Sequence, residues 1–254
     1  MQIFIYIIIF MFGLVLGSFY NVLGYRLPKK ESIVFPSSHC PNCNHQLNFW
    51  DLIPILSYIF LQGKCHYCKK KISIIYPIIE LATAILFVIS YYIFGFSMNF
   101  FIALIFSSIC IITISSDVRY MIIEDSVLIV GEILILILTL IKSDIKTTFL
   151  VLLNGLISFL IIYIVKLLAD HYFKTEAMGG GDVKFMFVVG SLITYKMSFI
   201  ALCMASFIAF PYAIYIYLSK KDNILPLGPF LCIAGLIIYF SGLTFNDLML
   251  IMAK

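Results

Sequence analysis

"QIFIYIIIFMFGLVLGSFYNVL", residues 2–23, followed by "GYRLPKK", residues 24–30, decides the fold of this 254-residue chain. The first stretch is long enough to cross a bilayer, whose hydrocarbon core takes about 20 apolar residues. No Lys or Arg precedes it, whereas Arg26, Lys29 and Lys30 follow it. A secretory signal carries its charge in front, so this run reads as a retained helix. Positive residues favour the cytoplasmic side, which puts the N-terminus outside and residues 24–75 inside.

Further apolar runs lie near 76–95, 98–116, 126–141, 148–169, 183–195, 197–218 and 225–242. The 183–195 run is short and reads as tilted or merged with its neighbour. Continuous runs lack the alternation of a lipid-facing barrel, so the spans are helices. The chain is 63% hydrophobic and 12% charged, with a mean hydropathy of +1.09, beyond what a soluble domain can bury. The expectation is an all-α polytopic membrane protein of about eight transmembrane helices in a lipid bilayer. It divides into a first helix (1–23), a cytoplasmic loop domain (24–75) and a transmembrane domain (76–254). Alternation from the first helix places Arg119, Lys174, Lys184, Lys220 and Lys221 inside, and Lys142, Lys146, Lys196 and Lys254 outside. The net charge of +4 therefore follows the inner membrane surface. No arginine-rich stripe with exposed aromatics points to nucleic acid.

The loop carries two knuckles, "CPNC" (Cys40, Cys43) and "CHYC" (Cys65, Cys68). Two C-x-x-C pairs in one short segment suit a tetrahedral thiolate site for a structural Zn2+, with no position left open for catalysis. A segment of this size has little core of its own, so a metal staple is useful. The alternative, a pair of disulfides, is disfavoured in the cytoplasm. His39, His45 and His66 flank the knuckles and read as solvated loop residues. Cys110, Cys203 and Cys232 fall in apolar runs and read as small hydrophobes.

Acidic residues in apolar helices are costly and mark function. Asp117 closes the run in "IITISSDVRY", and Asp182 follows the glycines of "TEAMGGGDVKF", residues 175–185. In the expected topology both lie at cytoplasmic helix ends. Two carboxylates held together share one proton, so that one is acid while the other is base. Such a pair activates water against a peptide carbonyl and then protonates the leaving amine. Asp125 and Asp182 each also suit a helix N-cap. Asp117 has no such role, because a carboxylate at a helix C-terminus opposes the helix dipole. Glu80 and Glu132 lie within spans, Glu80 suited to pairing with a lysine or a neighbouring helix. The glycine run fits neither the spacing of a phosphate-binding loop nor a dinucleotide fingerprint. A bare turn and a passage for substrate remain open. In the second, Gly179 and Gly181, lacking a Cβ, let an extended peptide approach Asp182.

Taken in order, "GSFYNVLGYRLP" (17–28), the paired cysteines, "DLIPILSYIFLQGKCHYC" (51–68), "YPIIELATAILF" (76–87), "GGGD" (179–182) and "LPLGPFL" (225–231) resemble the type IV prepilin peptidases. The resemblance covers most of the chain. It implies a bacterial plasma-membrane aspartyl peptidase that cuts short basic leaders after glycine from prepilin or pseudopilin substrates at the cytoplasmic boundary. It also implies N-methylation of the new terminus with S-adenosylmethionine as methyl donor. By position, Asp117 and Asp182 are its catalytic aspartates and Cys40, Cys43, Cys65 and Cys68 its zinc ligands. The chain departs from the family in "IED" (123–125), where Ile-Pro-Asp is common, and at Leu227, where phenylalanine is usual. The rival readings are a proton- or metal-coupled transporter with Glu80, Asp117 and Asp182 as an ion relay, and an assembly scaffold without activity.

Overall fold

A computed structural model describes residues 2–174, 178–219 and 226–252. Lys220, Lys221 and Lys254, Leu225 of the last motif and residues 175–177 of the glycine stretch lie outside the described residues. The described residues are helical, with no strand beyond two isolated bridges. They form two compact units, Met1–Tyr120 and Met121–Lys254.

In the first unit, α1 (Gln2–Arg26), α3 (Ile75–Phe94) and α4 (Met98–Tyr120) pack against one another. Between α1 and α3 lies the insert, with two 3-10 turns (Leu27–Lys29, Phe49–Leu52) and the short α2 (Leu56–Phe60). The α1–α3 contact is close because α1 presents glycines to it. A Cβ on Gly13 would stand 2.6 Å from Ala84 Cα, and one on Gly17 2.7 Å from Glu80 Cα. In lipid, helices associate through such backbone proximity, since apolar burial drives nothing there.

The second unit holds α5 (Asp125–Lys142), α6 (Ile145–Phe173), α7 (Gly180–Ile193), α8 (Tyr195–Leu218), α9 (Gly228–Ser241) and α10 (Phe245–Met252). Helix α7 packs on α5, α6, α8 and α9. That explains why this short helix is buried along most of its length while α6 and α8 expose large apolar side chains such as Leu168 and Phe207.

Each of the eight apolar runs coincides with one helix. The 183–195 run is not merged with the next, because Thr194, at φ +77°, breaks the chain between α7 and α8. Among the described residues, α1, α3, α4, α6 and α8 are long and apolar enough to cross a membrane. Helix α5 carries three charges in 18 residues (Asp125, Glu132, Lys142), and α7 and α9 have 14 residues each. Length and composition thus support five crossings, and the count of eight is not confirmed by them. The chain is an integral membrane protein.

Candidate active site and metal centre

The two knuckles fold as copies of one turn. Cys40 donates its N–H to His45 O (3.0 Å) and Cys65 donates to Lys70 O (2.8 Å), each closing a loop around the second cysteine. The residue after that cysteine, Asn44 (φ 53°) or Lys69 (φ 57°), is left-handed in both, which turns the chain sharply enough to gather the sulfurs. All four Sγ atoms lie within 4.8 Å of one another, and Cys40 Sγ to Cys68 Sγ is 3.9 Å. Tetrahedral zinc with bonds of about 2.3 Å holds sulfurs about 3.8 Å apart, so the four thiols fit the ion. None of them is in a disulfide. Burial raises the Cys40 thiol, but N–H groups of Cys43 and Asn42 and the neighbouring thiols outweigh it and bring it down to about 7. At Cys43 a His45 N–H lowers the thiol, yet burial and the neighbouring thiols carry it to about 11. The histidines lie outside the cluster: the His45 and Tyr67 ring centres lie 3.6 Å apart at a tilt of 35°, and His66 pairs with Asp51 at 3.3 Å.

Asp117 is buried, one turn before the end of α4. The residues around that end are tightly fixed. Arg119 donates to Asn21 Oδ1 of α1 (3.1 Å) and to Ser115 O (3.3 Å), and its guanidinium lies 4.9 Å from the Tyr76 ring centre. A cation in the last turn also offsets the negative end of the helix. A Cβ on Gly24 would stand 2.6 Å from that of Ser115, so α1 closes on α4 beside the aspartate. The sequence marked Arg119 only as an inside charge and did not single out Asn21; a cation two residues from a carboxylate at the end of an apolar helix was the available signal.

Asp182 is the third residue of α7 and is buried. Gly179 is the N-cap and no side chain caps the helix. The glycines are not in left-handed conformations: Gly179 has φ −60° and ψ 138°, and neither Gly180 nor Gly181 has a positive φ. They provide space instead. A Cβ at position 179 would lie 3.1 Å from Asp182 Oδ2, and one at 181 would lie 2.8 Å from Ile123 Cβ. Gly180 meets nothing. The run is therefore more than a turn: one glycine clears the carboxylate and another seats the start of α7 on the link before α5.

Asp125 is the first residue of α5, whose N-cap is Glu124. It does not act as the cap; it pairs with Lys184 at 2.7 Å. Lys184, one position beyond the Asp182–Val183 pair, ties α7 to α5. Glu132 accepts a hydrogen bond from Ser191 Oγ (3.0 Å) at Oε2. Glu80 is buried on α3 and accepts the N–H of Ile55 at 2.7 Å. That places it as an anchor for the insert, which sequence alone could not show because its partner is a backbone group.

A membrane-embedded helical protein with a four-thiol cluster and buried aspartates at helix ends is the class these features define. Residues 11–94 match the Bacterial Peptidase A24 N-terminal domain and residues 104–214 the Type IV leader peptidase family. The chain is 34% identical over 238 residues to the prepilin leader peptidase/N-methyltransferase of Bacillus subtilis, covering 92% of this chain and 94% of that protein. Proteins of the same name from Vibrio cholerae and Legionella pneumophila are each 29% identical, over 94% of this chain and 98% and 92% of theirs. No solved structure matches. The chain belongs to the type IV prepilin leader peptidase family.

Proposed function

We propose that the protein cleaves the leader from type IV prepilin-like proteins and N-methylates the new terminus, with Asp117 and Asp182 as the catalytic aspartates. The observation that carries this is the match of both family segments along the chain. One carboxylate takes a proton from water as it attacks the scissile carbonyl, while the protonated partner polarises that carbonyl and then supplies the proton to the leaving amine. The acid and base roles belong to the coupled pair. The space kept by Gly179 beside Asp182 Oδ2 suits the approach of an extended backbone, whereas Gly181 is packed on Ile123 and does not line that passage.

The methyl group comes from S-adenosylmethionine, whose sulfonium makes it transferable to the freed amine; no residue is assigned to hold that donor. Zn2+ on Cys40, Cys43, Cys65 and Cys68 would staple the insert, and four thiolates leave it no coordination site for substrate. The substrates carry short basic leaders. The N-terminus lies outside and the insert inside a bacterial plasma membrane, by the placement of lysine and arginine. Membership in a peptidase family gives the ion-relay reading of Glu80, Asp117 and Asp182 no support, and Glu80 already holds Ile55.

The test is incubation of membranes containing the protein with a prepilin-type peptide and S-adenosylmethionine, followed by mass measurement. Cleavage and a methyl-sized gain are expected. Asp117→Asn and Asp182→Asn should each lower the cleavage rate by at least about 10²-fold, the lower range for lost general acid–base catalysis. Undiminished cleavage in both variants would refute the assignment.

A further inference from the structure

The insert exposes a compact apolar surface on residues 49–60: Phe49, Trp50, Leu52, Leu56, Ile59 and Phe60, with Trp50 75% and Phe60 80% accessible. This surface is held in place. Asn48 donates its N–H to Asp51 Oδ2 (3.1 Å) and its amide to Tyr67 (2.7 Å), and Asp51 pairs with His66, so the Phe49–Leu52 turn is fixed to the second cysteine knuckle. The Phe49 and Trp50 rings meet edge to face at 5.8 Å.

Depth comes from a separate contact. Glu80 lies five residues beyond Ile75, the start of α3, or about 7 Å along the helix axis. Because Glu80 holds the Ile55 N–H at 2.7 Å, α2 begins beside the second turn of a helix that crosses the membrane. Leu56, Ile59 and Phe60 therefore follow a residue held beside the first turns of α3, a helix long and apolar enough to cross a membrane. Charge agrees with this. Residues 24–75 hold seven basic and two acidic side chains, and Lys64, Lys69, Lys70 and Lys71 are all exposed. Four thiolates on one Zn2+ leave the insert positive.

We propose that residues 49–60 form a lipid-docking wedge, with the aromatic and aliphatic side chains in the interface of the leaflet beside the insert and Lys64 and Lys69–Lys71 on anionic headgroups. Aromatic rings favour that interface, and lysines are drawn to anionic lipid. Both ends of the insert are tethered to membrane helices, so the bilayer is always within reach and no diffusing partner has to be recruited.

Trp50 is the only tryptophan of the chain, so its emission reports the wedge alone. The full-length protein is placed in phosphatidylcholine vesicles with and without phosphatidylglycerol, and quenching by chain-brominated lipid is compared with quenching by aqueous acrylamide. The wedge requires blue-shifted emission, loss of intensity to brominated lipid and protection from acrylamide. Quenching by acrylamide but not by brominated lipid would show a solvated loop. Protection from both would show a protein surface, a second copy or a partner, over the wedge; either result overturns the proposal. Phosphatidylglycerol should deepen bromolipid quenching in the wild type, and this gain should disappear in a variant with Lys64, Lys69, Lys70 and Lys71 changed to Gln. A wild type indifferent to phosphatidylglycerol would overturn the headgroup contacts.

Discussion

Two glycines two residues apart do different things, and substitution separates them. Gly179 has an extended backbone that any residue adopts, so Gly179→Ala leaves folding intact and crowds Asp182 Oδ2, 3.1 Å away. Cleavage should fall with no change in thermal stability. Gly181→Ala instead drives a Cβ to 2.8 Å from Ile123 Cβ, an overpacking that costs about 1–3 kcal/mol. Adding Ile123→Gly, which removes the Cβ that clashes, should recover that loss, and a detergent-unfolding series would show it. No recovery would mean that Gly181 does not act through Ile123. The thiols allow a prediction in pH. Zinc takes thiolates, so its binding displaces any proton they hold. Without metal, Cys40 ionises near 7 and Cys43 near 11. Between those values Cys43 still carries a proton that zinc must expel, so apparent affinity should rise with pH across this window and fall in acid. Competition with a chromophoric chelator at several pH values measures it; a flat affinity would contradict the site.

At the scale of elements, the contact of α5 with α7 turns on a polar pair in an apolar setting. Glu132 Oε2 accepts from Ser191, while Oε1 is buried and has no partner among the described residues. Ser191→Ala strands the whole carboxyl group and should cost about 1–3 kcal/mol. Replacing both partners, as in Glu132→Leu with Ser191→Ala, should return stability close to wild type, because apolar groups leave nothing unsatisfied. A double variant as weak as Ser191→Ala alone would show that the cost lies elsewhere. The helices themselves were legible, since uninterrupted apolar runs between charges mark them directly. The start of α7 was not: Gly180 and Gly181 read as a loop before the helix, yet they are its first turn. Gly181 there packs against Ile123, a contact that no local pattern encodes. The cysteine cluster was legible for the opposite reason, because C-x-x-C spacing fixes its geometry within a few residues. Asp125 looked like a cap from its place before an apolar run; its partner Lys184, 59 residues away, was out of reach.

Over the whole molecule, helix lengths bear on how the chain crosses the membrane. Helix α6 has 29 residues, about 43 Å, enough for the hydrocarbon core and the headgroups on both sides. Helix α7 has 14, about 21 Å, well short of the roughly 30 Å core. Lys166 Nζ donates to Met178 O at 2.7 Å. Lys166 lies seven residues before the end of α6 at Phe173, so the chain enters α7 about 10 Å below the tip of α6. This geometry lets a short α7 still cross if its far end, next to Lys196, reaches the opposite interface. Helix α5, at 18 residues or about 27 Å, is nearly long enough alone and has Asp125 and Lys142 at its two ends. All eight helices should then cross, with the N-terminus outside. Alkaline phosphatase, active only outside the cytoplasm, should be inactive when fused after Gly63 and active when fused after Ser143. Activity after Gly63 would reverse the orientation. Inactivity at both positions would show that α5 does not cross, and the count would fall towards the five helices that length and composition support.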